Sequence, residues 1–139
     1  IKYIMPYMKK NKFGRIVNIT SGAPLNNDKY FSLYSSTKAS LNSFTMTASK
    51  EVGTKDIKIN LLSPGPINTN MKIQIEKFTG VKTKYFSMNQ AVNDTLKLIS
   101  KKNKINGKFI WRGRILPLRP DLRGINWLKG KASKEYKKI

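Results

Sequence analysis

Cysteine and histidine are both missing from this 139-residue chain. Their absence removes disulfides, thiolate nucleophiles, imidazole bases and the usual zinc sites, and with them most hydrolytic mechanisms. Acidic residues are scarce, 7 against 28 Lys and Arg, so any acid or base must come from Tyr, Lys or these few carboxylates. No apolar run approaches the length of a membrane span, and the opening residues, IKYIMPYMKK, have neither the charge order nor the cleavage site of a secretory signal. A cytoplasmic location, away from any membrane, is therefore the default expectation.

What is present is 39% hydrophobic residues, enough for one domain with its own core. The formal charge of +21 would ordinarily point toward nucleic acid or an anionic surface. Lys is nevertheless scattered in ones and twos among Asn and Ile, with a modest concentration over 129–138 and no basic helix interleaved with aromatics. Most of the charge reads as a compositional habit, so nucleic acid is not expected as a partner, although a nucleotide cofactor would benefit from the field.

Ile4, Met5 and Met8 stand at helical spacing, as at the end of a helix already under way at Ile1, with Pro6 tolerable only near a turn or kink. RIVNIT at 15–20 is β-branched and follows a Gly, which predicts a buried strand. Turn residues fill 22–29, and a long helix is expected over 31–52, with Leu41, Phe44 and Ala48 as its core stripe and Gly53 as its stop. Ser36, Ser40, Ser43 and Thr47 form a second stripe of small residues, suited either to close packing within the chain or to a subunit contact. IKINLL at 57–62 is the second strand, broken at once by Ser63-Pro64-Gly65-Pro66.

The stretch 71–86 is apolar without clear periodicity and is expected to be irregular. Ser87 and Gln90 make a capping box for a helix to about residue 100 with Ala91, Val92, Thr95, Leu96 and Ile99 turned inward. KFIWR after Gly107 is the third strand, and a basic tail is expected over 116–139, after a domain of 1–115. Trp111 and Trp127 are expected to pack rather than to bind ligand, and Asn18 and Asn60 to be strand-end hydrogen bonders rather than catalytic residues.

Strand, helix, strand, helix, strand predicts an α/β fold of about three parallel strands with right-handed crossovers. Such sheets bind ligands outside the carboxyl ends of their strands. Ser21 closes the first strand, Pro64 and Gly65 follow the second, and Tyr34 and Lys38, four apart on one helical face, start the long helix between them. A hydroxyl, a phenol and an ammonium are thereby expected at one rim. Taken singly, each has an ordinary explanation: a turn-capping Ser, a solvated helix face, a Pro-Gly turn.

Taken together, in this order and spacing, they resemble the short-chain dehydrogenase/reductase family. GRIVNITS is similar to the family's strand ending in its catalytic Ser, YSSTKASL to its Tyr-x-x-x-Lys segment, and INLLSPGPINTNM to its Pro-Gly motif with the following Ile-x-Thr. The resemblance is specific over about 1–71, weaker to about 115, and covers the second half of the family's domain. It implies a Rossmann-like, doubly wound parallel sheet of which only the C-terminal part is present here. It further implies an oxidoreductase that interconverts a carbonyl and an alcohol, with NAD or NADP as cofactor.

In that family Tyr34 would be the general acid/base, a role for which a free phenol, with a pKa of about 10, needs a neighbouring cation such as Lys38. Ser21 would hold the substrate oxygen, and Lys38 with Tyr34 would bind the cofactor's ribose. Pro64, Gly65, Ile67 and Thr69 would contact its nicotinamide end, and the 71–86 segment would be the substrate loop, favouring an apolar substrate. The family often forms homo-oligomers through the helix that carries the Tyr.

The Gly-rich phosphate loop, the Asn-Asn-Ala-Gly segment and the further catalytic Asn have no counterpart, and Arg112-Gly113-Arg114 stands where an Asp-Gly-Gly often ends the last strand. These departures, and an opening residue in mid-helix, are those expected of a fragment. Two alternatives stay open: a truncated, non-catalytic remnant or scaffold, and a basic nucleic-acid-binding module.

Overall fold

In the computed structural model, which describes residues 1–26 and 28–116, nine short elements alternate around a four-stranded sheet. They are α1 (Met5–Lys10), β1 (Gly14–Ile19), α2 (Ala23–Asn26), α3 (Ser32–Glu51), β2 (Ile57–Ser63), α4 (Asn70–Thr79), α5 (Met88–Ile99), β3 (Phe109–Trp111) and β4 (Arg114–Leu116). The order across the sheet is β1-β2-β3-β4, parallel between the first three and antiparallel at the last pair. This is the α/β arrangement that the element order predicted and the Rossmann-like part-sheet that the resemblance implied, with helices on both faces.

β2 is the central strand, and its near-continuous apolar run follows from burial on both faces. Ile57, Ile59, Leu61 and Leu62 are all at most 1% exposed. Ile57 and Ile59 pack with Ala48 and Val52 of α3 and with Met5 and Met8 of α1; Leu62 packs on the other face with Leu98 of α5, Ile110 and Val17. Gly14 is required where it stands, because a Cβ there would lie 2.6 Å from Met8 Sδ.

Several expectations need correction. The helix near the N-terminus starts at Met5, with Pro6 in its first turn, instead of running in from Ile1. A four-residue turn of helix, α2, interrupts the loop after Ser21. The buried face of α3 is Asn42, Thr45, Ala48 and Ser49, while Phe44 is 53% exposed. Polar side chains face inward there because β1 presents Asn18 and Thr20 as partners. The small stripe of Ser36, Ser40, Ser43 and Thr47 is exposed, and among the described residues it packs against no other element.

The 71–86 segment is helical over its first half, because Thr69 caps α4 and Gly80, at φ 71, ends it in the left-handed conformation. The capping box at Ser87 does not form: Ser87 makes no side-chain cap, and Gln90 donates to Asp94 Oδ1 one turn along (2.8 Å). α5 buries Asp94 and Leu98, and leaves Val92, Leu96 and Ile99 about half exposed, because among the described residues the sheet has no strand beyond β1 for that flank to cover. β4 was not expected. Arg112 and Gly113, both at positive φ (51 and 77), make the two-residue turn that folds it back on β3.

The expected basic tail, Trp127 included, lies outside the described residues apart from Leu116, which closes β4. Among the described residues no helix is long and apolar enough to cross a membrane.

Candidate active site

β1 and β2 end at the same edge of the sheet. Ile19 lies opposite Leu62, and the Thr20 N–H donates to Leu62 O at 2.8 Å, so Ser21 leaves β1 beside Ser63 and Pro64 leaving β2. Ser21 Oγ accepts the Ala23 N–H (3.1 Å), which uses a lone pair and leaves the hydroxyl proton to donate elsewhere. Tyr34 sits in the first turn of α3, its ring edge-on to Phe31 at 6.0 Å and its side chain 37% exposed. Lys38 follows one turn later. Its Nζ donates to Ile19 O, the last carbonyl of β1, at 2.9 Å, and stands 5.7 Å from the centre of the Tyr34 ring. Among the described residues, two of its three N–H donors remain uncommitted. Among the described residues the three side chains make no hydrogen bond to one another; they are held on adjoining segments of one rim.

What fixes α3 against that rim is a rack of polar contacts at helical spacing. Lys38, Asn42 and Thr45 occupy one face of the helix and meet three successive residues of β1 and its extension. Lys38 bonds Ile19 O, Asn42 Oδ1 accepts from Thr20 Oγ1, and Thr45 Oγ1 accepts from Asn18 Nδ2 at 2.8 Å while donating to Leu41 O at 2.7 Å. Thr45 is fully buried and Asn42 nearly so, so the contacts form where a lost partner is costly. Hydrogen bonds are directional, and this rack sets the rotation and height of the helix that presents Tyr34. Sequence reasoning missed Asn42 and Thr45. The 4 and 3 spacing from Lys38 was the available signal, but inward polar residues are read as apolar-face errors unless their partners are known.

After β2, Gly65 turns at φ 79, and a Cβ there would lie 2.9 Å from Phe86 Cδ2, so both the turn and its neighbour require glycine. Ile67 bridges to Phe86, whose N–H donates to Pro66 O at 2.8 Å. Thr69 Oγ1 caps α4 by accepting the Lys72 N–H at 3.3 Å, again with its proton to spare. The Arg112 guanidinium stacks on Phe86, 3.5 Å from the ring centre. Pro64, Gly65, Ile67 and Thr69 thus form one continuous wall beside the Ser21 rim.

Above this wall α4 and the 80–87 loop are braced by Glu76. It accepts from Thr83 N–H and Oγ1 (both 3.0 Å) and from Tyr85 Oη (2.7 Å), and pairs with Lys72 at 3.7 Å. The Tyr85 hydrogen bond first, then the Thr83 backbone, hold the Glu76 carboxyl below its ordinary pKa, and the same bond pushes the Tyr85 phenol up. Tyr30, at the unusual φ of 71, meets Phe78 of α4 edge-on at 6.0 Å, tying the loop before Tyr34 to the brace and making the mouth apolar. The two rings, Arg112 and the Glu76 cluster all escaped the sequence reading, since each depends on chain segments meeting through space.

The residues suit one end of a nicotinamide dinucleotide. The rim offers uncommitted donors on Lys38 and Thr69, a glycine turn open to close approach, and an apolar groove of about 250 Å³ lined by Ile19, Leu62, Pro64, Met88, Val92 and Leu96. No Gly-rich turn between a strand and a helix exists among the described residues to hold the phosphates.

Comparison with known proteins agrees with this geometry. The family model described as short chain dehydrogenase matches residues 1–80. A 3-oxoacyl-[acyl-carrier-protein] reductase of Synechocystis sp. is 39% identical over 70 residues, and an acetoacetyl-CoA reductase of Cupriavidus necator 40% over 70; each match covers 50% of this chain and 28% of the relative. The solved structure of ElxO with NADP bound superposes with a TM-score of 0.69 at 28% identity, over 81% of this chain and 50% of that one. The chain therefore spans less than a third of the curated relatives it matches, and half of that solved chain.

Proposed function

Because the chain belongs to the short chain dehydrogenase family, we propose that it carries the acid/base centre and the nicotinamide-facing wall of an NAD(P)-dependent oxidoreductase interconverting a carbonyl and an alcohol. The observation that supports this most is the delivery of Ser21, Tyr34 and Lys38 to one rim, with Lys38 fastened to the last carbonyl of the Ser21 strand.

In reduction, the Ser21 hydroxyl donates to the substrate carbonyl oxygen and holds it in reach of the phenol. Tyr34 Oη passes its proton to that oxygen as negative charge builds there, and in the reverse direction takes the proton from the alcohol. The Lys38 ammonium stabilises the charge left on the phenol oxygen, and its spare N–H groups, with Tyr34, hold ribose hydroxyls. Pro64, Gly65 and Ile67 form the face against which a nicotinamide ring would lie, and the Thr69 proton is left for its carboxamide. The bound dinucleotide would supply the hydride. The apolar mouth formed by Tyr30 and Phe78 favours a carbonyl borne on an apolar chain, in line with the 3-oxoacyl reductase among the relatives.

We extend the proposal to a homo-oligomer, in which the exposed Ser36, Ser40, Ser43 and Thr47 stripe and Phe44 meet a second copy.

The intact protein is assayed with NADH and with NADPH against a panel of 3-oxoacyl thioesters and simple ketones. Carbonyl-dependent oxidation of one nucleotide is expected. Binding of either nucleotide with no oxidation across the panel would overturn the enzymatic reading in favour of a non-catalytic remnant.

A further inference from the structure

At the amino ends of β1 and β2, a strand length away from the rim that carries Ser21 (about 17 Å at 3.3 Å per residue), the surface opens into a cavity of about 610 Å³. Its lining brings together Lys12, Arg15, Lys55, Lys58, Lys101 and Lys104, against the single carboxylate of Asp56. We propose that this cavity binds a compact oligophosphate, a ligand carrying two or more linked phosphate groups.

Arg15 forms the fixed part of the site. Its guanidinium donates to five carbonyls: Gly14 O (2.8 Å), Asp56 O (2.7 Å), Ser100 O (3.2 Å), Lys101 O (3.2 Å) and Asn103 O (3.1 Å). These bonds rivet the starts of β1 and β2 to the loop after α5. They also consume the carbonyl acceptors of the floor, which would otherwise repel an anion. Burial lowers the guanidinium pKa and Asp56 partly opposes that, but an arginine stays charged at any ordinary pH.

Around this floor the five lysines are mobile point charges of the kind that bind phosphate. Among the described residues none of them forms an ion pair, and Asp56 accepts instead from Thr54 Oγ1 at 3.2 Å. A lone carboxylate would leave most of these ammonium groups unpaired, whereas several closely linked phosphates match them. The volume lies in the range of small-ligand sites. Phe13, the one aromatic residue in the lining, already has Arg15 over its ring at 4.6 Å and Lys101 at 5.8 Å, and the lining holds no second aromatic on which successive nucleic-acid bases could stack. A small oligophosphate is thus favoured over an RNA or DNA strand.

The test is titration calorimetry of the intact protein with inorganic tripolyphosphate at about 0.15 M ionic strength. One saturable site is expected. Lys55→Gln/Lys58→Gln/Lys101→Gln/Lys104→Gln should weaken it about tenfold or more, and the charge-matched Lys29→Gln/Lys77→Gln/Lys82→Gln/Lys84→Gln by no more than about twofold. Adenosine triphosphate binding as well as tripolyphosphate would identify the phosphates alone as the ligand; tighter binding would identify a nucleotide as its source. No saturable binding, equal weakening in the two variants, or tighter binding of a single-stranded oligonucleotide would overturn the proposal. Activity toward carbonyls plays no part in the readout, so the result stands apart from the proposed reaction.

Discussion

The two faces of the sheet are built by different means. On one, α3 is locked to β1 through Lys38, Asn42 and Thr45, and the apolar cluster of Ala48, Val52, Ile57 and Ile59 closes the lower half. On the other, α5 is held mainly by Leu98 against Leu62, Ile110 and Val17, and its flank of Met88, Val92 and Leu96 lines an open groove. Apolar contact is non-directional and tolerates small rotations, whereas the hydrogen-bonded face admits one register. The face that carries the Tyr34 phenol, the acid/base of the proposed reaction, is the one held by hydrogen bonds.

The largest effect on stability should come from the apolar face. Leu98→Ala is expected to cost about 2–3 kcal/mol in chemical denaturation while leaving kcat of the folded fraction nearly unchanged. A large fall in kcat would show that α5, too, positions the site. Thr45→Val keeps the volume but strands the Asn18 amide, for a loss of about 1–2 kcal/mol. Here kcat should fall further than stability does, because the register of α3 is what the hydroxyl maintains. Equal kcat in the Thr45→Val and wild-type proteins would break the contrast between the faces.

Smaller effects sharpen it. The Glu76 carboxyl titrates below its ordinary range, so the brace is fully present above the unfolded-state value and is lost as pH falls through the depressed folded value. The raised Tyr85 phenol gives the opposite arm: its contribution is complete below the ordinary phenol value and is lost as pH rises through the folded one. Protection of the Thr83 amide against exchange, taken relative to its intrinsic rate at each pH, should therefore fall in acid, and Glu76→Gln should abolish that acid arm. Leu96→Ser on the open groove should change stability by no more than about 0.5 kcal/mol; a loss above that would mean the groove is covered.

The order of elements, the parallel β1-β2-β3 core and the shared rim were legible because they rest on local signals: β-branched runs, a glycine stop, and breakers after the strands. The orientation of the helices was not. α3 turned Asn42 and Thr45 inward because of Asn18 and Thr20, on and just past a strand more than twenty residues earlier, and α5 turned its stripe toward an edge with no further strand among the described residues. Thr69 was read as a cofactor contact, and its position as the cap of α4 emerged only with the helix itself. β4 depended on a positive φ at Arg112, for which an Arg-Gly pair is a weak signal. Partners across space, not residue types, decided each of these.

The central claim is that Tyr34 moves the proton at this rim. It is tested most directly by Tyr34→Phe in the intact protein, with carbonyl-dependent NAD(P)H oxidation and dinucleotide affinity measured on the same sample. The account predicts a fall in kcat of about a thousandfold, with dinucleotide affinity within about threefold of wild type. Turnover retained in Tyr34→Phe would contradict it.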